Sequence, residues 1–530
     1  MSPSNTRSVS ESRSANSDKE RLGTAPLGRL LFRLAVPTVT AQIINMLYNI
    51  VDRIYVGHIP GDGRAALTGL GVCLPLIMLV SAFSAFAASG GAPRASIQMG
   101  RGNNEAAERI LGNSFMLQIV ISVTLTAILL IFNEPLLMMF GASDMTITYA
   151  ADYMEIYAIG TIFVQLTLGM NAFITAQGFT RYSMTSVIIG AVANIGLDPL
   201  FIYAFDLGVR GAAVATIISQ ALSAAWVMAF FLLKKGYWRL RPKFFLLKFS
   251  VVLPILTLGL ATFVMQSSES IILICFQSSL QKYGGDIAVG AMTICSSVMQ
   301  FALLPLNGLG QGAQPIISYN YGAGNIDRVK KAFFLLLLTS LSYSVTLWIL
   351  AMAIPDKFVA MFNSEPELIN YAAPVVRVYL GAMFLFGIQM ACQMTFTSIG
   401  SAAQSITVAV ARKFVLLLPL IYIMPLIYTD DKALAVFMAE PVADAIAVTF
   451  TAVLFIIYYR KKFVGGKTAK TPIASDTASD TVSEGAELSA TVGTLGKAEP
   501  NAVAAPQPRT DVRQVDASEK ENSNDEYESR

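Results

Sequence analysis

Apolar runs of 20 or more residues recur along most of the chain, separated by short clusters of Gly, Pro, Asn and charged residues. About 20 mostly apolar residues suffice for a helix to cross a bilayer. The runs predict helices at 29–56, 65–93, 108–132, 147–175, 182–205 and 209–233. A second set follows at 248–281, 287–318, 331–354, 369–398, 403–427 and 433–459. The pattern therefore expects an all-α integral membrane protein with twelve transmembrane helices. Breaks fall at 59–64, 133–144, 234–243 and 356–367.

Charge placement supports the count. Eighteen Lys and Arg fall in alternate connections, among them Arg29, Arg101, Arg181, Lys234, Arg328 and Lys462, against six in the opposite ones. Positively charged short loops stay in the cytoplasm, so both termini are expected there. Of 530 residues, 54% are hydrophobic and only 14% charged, whereas a soluble domain carries about 25% charged. A net charge of +3 gives no basic footprint for nucleic acid. Cys73, Cys275, Cys295 and Cys392 stand singly in apolar runs, and His58 is the one histidine. They suit neither a metal centre nor a disulfide framework. The polar ends, too poor in aromatics to bury apolar surface, divide the chain. Residues 1–28 and 461–530 are expected to be disordered cytoplasmic tails. Residues 29–234 form an N-lobe with helices 1–6, 235–247 a cytoplasmic linker, and 248–460 a C-lobe with helices 7–12.

An internal repeat underlies that division. Met99-Gly100-Arg101-Gly102-Asn103 resembles Tyr321-Gly322-Ala323-Gly324-Asn325, and Ala176-Gln177-Gly178 resembles Ser398-Ile399-Gly400. Both matches share an offset of 222 residues. Six helices per half keep the two halves in the same orientation, so they pack as two pseudo-symmetric six-helix bundles about an axis normal to the membrane. A cleft between two lobes suits alternating access. No nucleophile–base pair or metal cluster points to an enzyme.

Ionisable residues at membrane depth usually mark an ion or substrate path. Counting 1.5 Å per residue from the predicted outer ends, Asp52, Tyr153, Asp198 and Thr216 fall in one layer of the N-lobe. Asn194 and Asp198, four apart, share a helix face. Such oxygen-rich side chains can hold a hard cation or a shared proton, which makes Asp52, Asn194 and Asp198 a candidate Na⁺ site. In the C-lobe, Glu269, Arg377 and Glu440 are candidate substrate or ion contacts. Asp444 also lies at membrane depth, with Arg412 and Lys413 nearer the cytoplasm. Opposite charges there can instead pair with one another.

The runs LYNIVDRIYVGH (47–58), ANIGLDPLFIY (193–203), GVRGAAVATIISQ (208–220) and QPIISYNYGAGN (314–325) resemble the multidrug and toxic compound extrusion (MATE) family. The branch is that of the bacterial damage-inducible and staphylococcal-type exporters. The resemblance covers about residues 28–462. It implies two six-helix bundles forming a V, a monomer of the bacterial cytoplasmic membrane, and no cofactor. It implies efflux of organic, aromatic cations in exchange for inward H⁺ or Na⁺. The family's N-lobe cation site falls on Asp52, Tyr153, Asn194, Asp198 and Thr216, and its first-helix bend on Pro37. The seventh-helix glutamate of another branch falls on Glu269. That branch's tenth-helix acid has no counterpart, since Gln389 and its neighbours carry none. A lipid-linked sugar flippase of the same superfamily is the alternative, given Arg377, Arg412 and Lys413.

Overall fold

A computed structural model describes residues 20–59, 63–361 and 366–464. The expected tails at 1–19 and 465–530 lie outside the described residues. Among the described residues there is no strand. Six apolar helices form the first half: α1 (Leu27–Gly57), α2 (Ala65–Gly100), α3 (Asn104–Ile131), α4 (Ile147–Ala176), α5 (Thr180–Ala204) and α6 (Gly208–Leu232).

The second half begins with one continuous stretch, Phe249–Gly322. Gly285 interrupts it with φ 65° and ψ −159°, a conformation that glycine adopts without steric cost. We label the parts before and after Gly285 α7 and α8. Then come α9 (Ile326–Ala353), α10 (Pro366–Tyr379 with Met383–Ser398), α11 (Ala402–Ile427) and α12 (Lys432–Lys462). The two parts of α10 meet at 41°, around Leu380, Gly381 and Ala382. The sequence expects one straight span there, because an apolar Gly-containing run shows no obvious stop. With α7 and α8 separated and the two parts of α10 taken as one span, twelve helices among the described residues are long and apolar enough to cross a membrane. The chain is a multi-pass membrane protein.

The two halves meet in a manner that reproduces the sequence repeat. A β-carbon at Gly100 would strike the Tyr319 carbonyl oxygen, and one at Gly322 would strike the Ile97 carbonyl oxygen. The contact is reciprocal, since 319 and 322 are 97 and 100 displaced by 222. Small residues let helix backbones approach closely in a membrane. Deeper in the same seam, Gly90 of α2 faces the backbone of Ile255 and Gly259 on α7. Pro37 is buried in α1, which runs unbroken past it. The adjacent Thr38 hydroxyl donates to the Gly308 carbonyl of α8 at 2.6 Å.

These contacts lie toward the Arg- and Lys-rich end, so the halves are closed there. Gly90→Leu must push α2 off α7. It is expected to cost about 1–3 kcal/mol, as overpacking does, read as a lowered Tm in detergent; an unchanged Tm would contradict the close seam.

Two segments are docked on the basic face, the first tying the two halves together and the second lying against the first half. Before α1, disorder is expected through residue 28, but residues 20–24 are helical and Leu22 is buried. The Leu22 carbonyl accepts from Asn320 Nδ2 at 2.9 Å and from Arg328 Nη2 at 3.3 Å. One apolar side chain and two satisfied carbonyls, Leu22 and Ala25, suffice to order this turn. Before α7, the linker is likewise docked. The Tyr237 and Trp238 amides donate to Gln177 Oε1, and Arg241 pairs with the buried Glu108 at 2.7 Å.

Candidate functional site

The N-lobe site is built from four helices. Asp198 lies on α5 immediately before Pro199, which lacks an N–H to continue the helical ladder. The chain then takes a π-helical turn over Leu200–Ala204. Such turns are frequent at functional sites. The Tyr203 hydroxyl donates to the Tyr55 carbonyl at 2.7 Å, which ties this turn to α1 beside Asp52.

Asp198 is fully buried, and Asn194, Asp52 and Tyr153 are buried as well. Asn194 Nδ2 donates to Asp198 Oδ1 at 3.0 Å. Asp52 is near enough to act electrostatically on both Asp198 and Tyr153. Thr216 of α6 adjoins the Tyr153 hydroxyl. Asp52, Tyr153, Asp198 and Thr216 stand five to eight residues from their helix ends on the face away from the basic end, roughly 8–12 Å deep.

The polar atoms of this group are unevenly satisfied. Asp52 Oδ1, Asn194 Oδ1 and Asp198 Oδ2 are buried with no hydrogen-bond partner. All three are acceptors, or become acceptors on ionisation. Unpaired buried carboxylates are expensive, and either a proton or a small cation would relieve that cost.

Two aromatic residues absent from the sequence reading border the group. Tyr157 stacks on Tyr153 with centroids 6.1 Å apart, and Tyr48 is close to both Asp52 and Tyr157. The available signal was spacing, since Tyr48 precedes Asp52 by four and Tyr157 follows Tyr153 by four. Aromatic faces of this kind attract cations. Asp152, by contrast, pairs with Arg210 at 2.8 Å on the surface.

In the C-lobe the opposite charges pair with one another, one of the two outcomes the sequence leaves open. Arg412 Nε bonds Asp444 Oδ1 at 2.7 Å, and its Nη2 lies 3.6 Å from Glu440 Oε1. Lys413 Nζ bonds Glu269 Oε1 at 2.7 Å. Arg412 also stands over the Phe386 ring at 5.3 Å. Both cations sit on a second π-helical turn, Ala411–Leu417, near the middle of α11 and on the basic side of its midpoint.

Glu269 and Glu440 thus join one network with Arg412, Lys413 and Asp444. Arg377 does not. It is exposed and donates to the Met352 carbonyl at 3.1 Å, because its face of α10 turns away from α11 and α12. Within the network Glu269 alone is open, its side chain 53% exposed against 4% for Lys413. Among the described residues no three His, Cys, Asp or Glu side chains gather as a metal cluster.

The MatE family model matches residues 37–200 and again 260–423, two copies displaced by 223 residues, within one of the offset read from the glycine motifs. The multidrug export protein MepA of Staphylococcus haemolyticus is 22% identical over 431 residues, covering 81% of this chain and 93% of that protein. The FAD transporter of Shewanella oneidensis is 23% identical over 411 residues, covering 76% and 89%. A crystal structure of a MATE protein in the bent conformation superposes with a TM-score of 0.78 at 20% identity, covering 84% and 98%.

Proposed function

The chain belongs to the MatE family, whose similar proteins are transporters, and from that premise we propose that it exports organic, aromatic cations in exchange for H⁺ or Na⁺. The observation that carries this reading is the set of three unpartnered buried acceptors on Asp52, Asn194 and Asp198. A proton or Na⁺ entering there satisfies them and gives the ion unequal affinity for the two arrangements of the lobes. Only such a difference can shift a conformational equilibrium. Tyr153 and Thr216 position the group, and Pro37 sits where α1 can bend beside the seam.

Drug occupies the cleft between the lobes, with Glu269 as the C-lobe contact for its positive charge, since this carboxylate alone of the network is open. Arg412, Glu440 and Asp444 act as a structural lock. The protein works as a monomer in a bacterial cytoplasmic membrane with its basic end inside, following the positive-inside rule.

The test is expression in a host stripped of its own efflux pumps. Resistance to ethidium is expected to rise several-fold and to fall back in Glu269→Gln. Unchanged ethidium resistance together with secreted flavin nucleotide would replace this reading with an anionic substrate, the class named for the Shewanella relative.

A further inference from the structure

On one lateral side of the bundle, α1 of the N-lobe and α9 of the C-lobe leave a groove between them. It consists of two hollows sharing Leu335. The inner one, about 310 Å³, lies between Gly28, Phe32, Val36 and Thr40 of α1 and Thr339 of α9. The outer one, about 600 Å³, is bordered by Leu27, Phe334, Leu338, Lys330 and Lys331. An exposed apolar helix face is ordinary in a membrane protein. The inner part of the groove is half-enclosed, its walls come from both lobes, and its shallow outer part opens beside Lys330 and Lys331.

Length and charge identify the occupant. From Leu27 to Thr40 the groove runs roughly 20 Å at 1.5 Å per residue, enough for one leaflet of a hydrocarbon core of about 30 Å and the edge of its polar layer. One leaflet is the depth of one acyl chain. At the mouth stand Lys330 and Lys331; Arg29 and Arg33, which line neither hollow, are exposed on the first two turns of α1. Long cationic side chains at such a depth reach the polar layer. The acid bonded to this collar is Asp327, 3.6 Å from Lys330 and itself 91% exposed, a surface pair of small worth. The collar therefore keeps an excess of positive charge where phosphate headgroups lie.

We propose that the groove binds one anionic glycerophospholipid, its acyl chain between α1 and α9 and its phosphate against Lys330 and Lys331. This site is independent of the transported substrate. Because its walls belong to both lobes, any arrangement that moves α1 away from α9 dismantles it. The lipid accordingly favours the arrangement described here over one opened at the basic end.

The experiment is native mass spectrometry of the full chain, titrated with dioleoyl phosphatidylglycerol or dioleoyl phosphatidylcholine. The wild type is expected to retain the phosphatidylglycerol preferentially. The double variant Lys330→Ala/Lys331→Ala should lose about 30-fold in its retention, at about 1 kcal/mol per cation near the membrane surface, with phosphatidylcholine unchanged. Lys357→Ala, at the opposite end, should match the wild type. Thr339→Trp, which fills the inner hollow, should weaken both lipids. Equal retention of the two lipids by the wild type, or undiminished phosphatidylglycerol on the double variant, overturns the site.

Discussion

Asp198→Asn is expected to abolish gradient-driven transport while leaving the fold intact. Asparagine is isosteric with aspartate and can keep an amide contact with Asn194, which now bonds Asp198 Oδ1 at 3.0 Å. What disappears is the group that takes up a proton or a cation. Without it the ion no longer distinguishes the two arrangements of the lobes, and a gradient of that ion does no work on them. Stability should move the other way. Asp198 is fully buried with one oxygen unpartnered, so neutralising it removes a desolvation cost. Tm in detergent should be equal to or above the wild type, and dye flux in vesicles should fall to that of protein-free controls. Normal flux, or a protein lost to unfolding, would contradict the assignment.

The second large effect is structural. Arg412→Ala strands Asp444 and Glu440 in the C-lobe interior, where their exposures are 2% and 5%. Removing one partner of a buried ion pair costs about 3–5 kcal/mol, so Tm should drop by several degrees. Arg377→Ala serves as the control. Its side chain is exposed and makes one bond to a backbone carbonyl, which is worth about 1 kcal/mol or less. Combining Arg412→Met with Glu440→Gln and Asp444→Asn should recover most of the lost stability, because no unpaired charge remains. If the triple variant also transports drug, Arg412, Glu440 and Asp444 are a lock rather than a contact; loss of drug binding in a stable triple variant would show the reverse.

How far the sequence could reach differs between the two lobes. Hydropathy located the spans because lipid-facing and buried positions are both apolar, so a helix end shows as a polar break. Even the α7–α8 junction is marked by Gly284 and Gly285. The layer of Asp52, Tyr153, Asp198 and Thr216 was legible because helix rise is constant, and counting from an end gives depth directly. Asn194 followed from the four-residue spacing.

Depth alone says nothing about which way a side chain points, and that explains the C-lobe. Arg377 and Glu440 both lie at membrane depth, yet one faces outward and the other inward. Arg412 and Lys413 are adjacent and would diverge by about 100° on a regular α-helix, but both are buried on the π turn of α11. That turn carries no Gly or Pro within Ala411–Leu417 to announce it. The helical turn at residues 20–24 escapes the sequence for a related reason. Its low apolar content reads as disorder, and the order comes from Leu22 together with Asn320 and Arg328, about 300 residues away in the chain.

The central claim is that an ion bound among Asp52, Asn194 and Asp198 drives export from the cleft. The most direct measurement is ethidium flux into or out of proteoliposomes holding the purified full chain, first under an imposed pH gradient and then under a Na⁺ gradient. The account predicts flux against the dye gradient with at least one of the two ions, collapsing when that ion gradient is dissipated. Dye movement indifferent to both gradients, in protein shown to be folded, would contradict it.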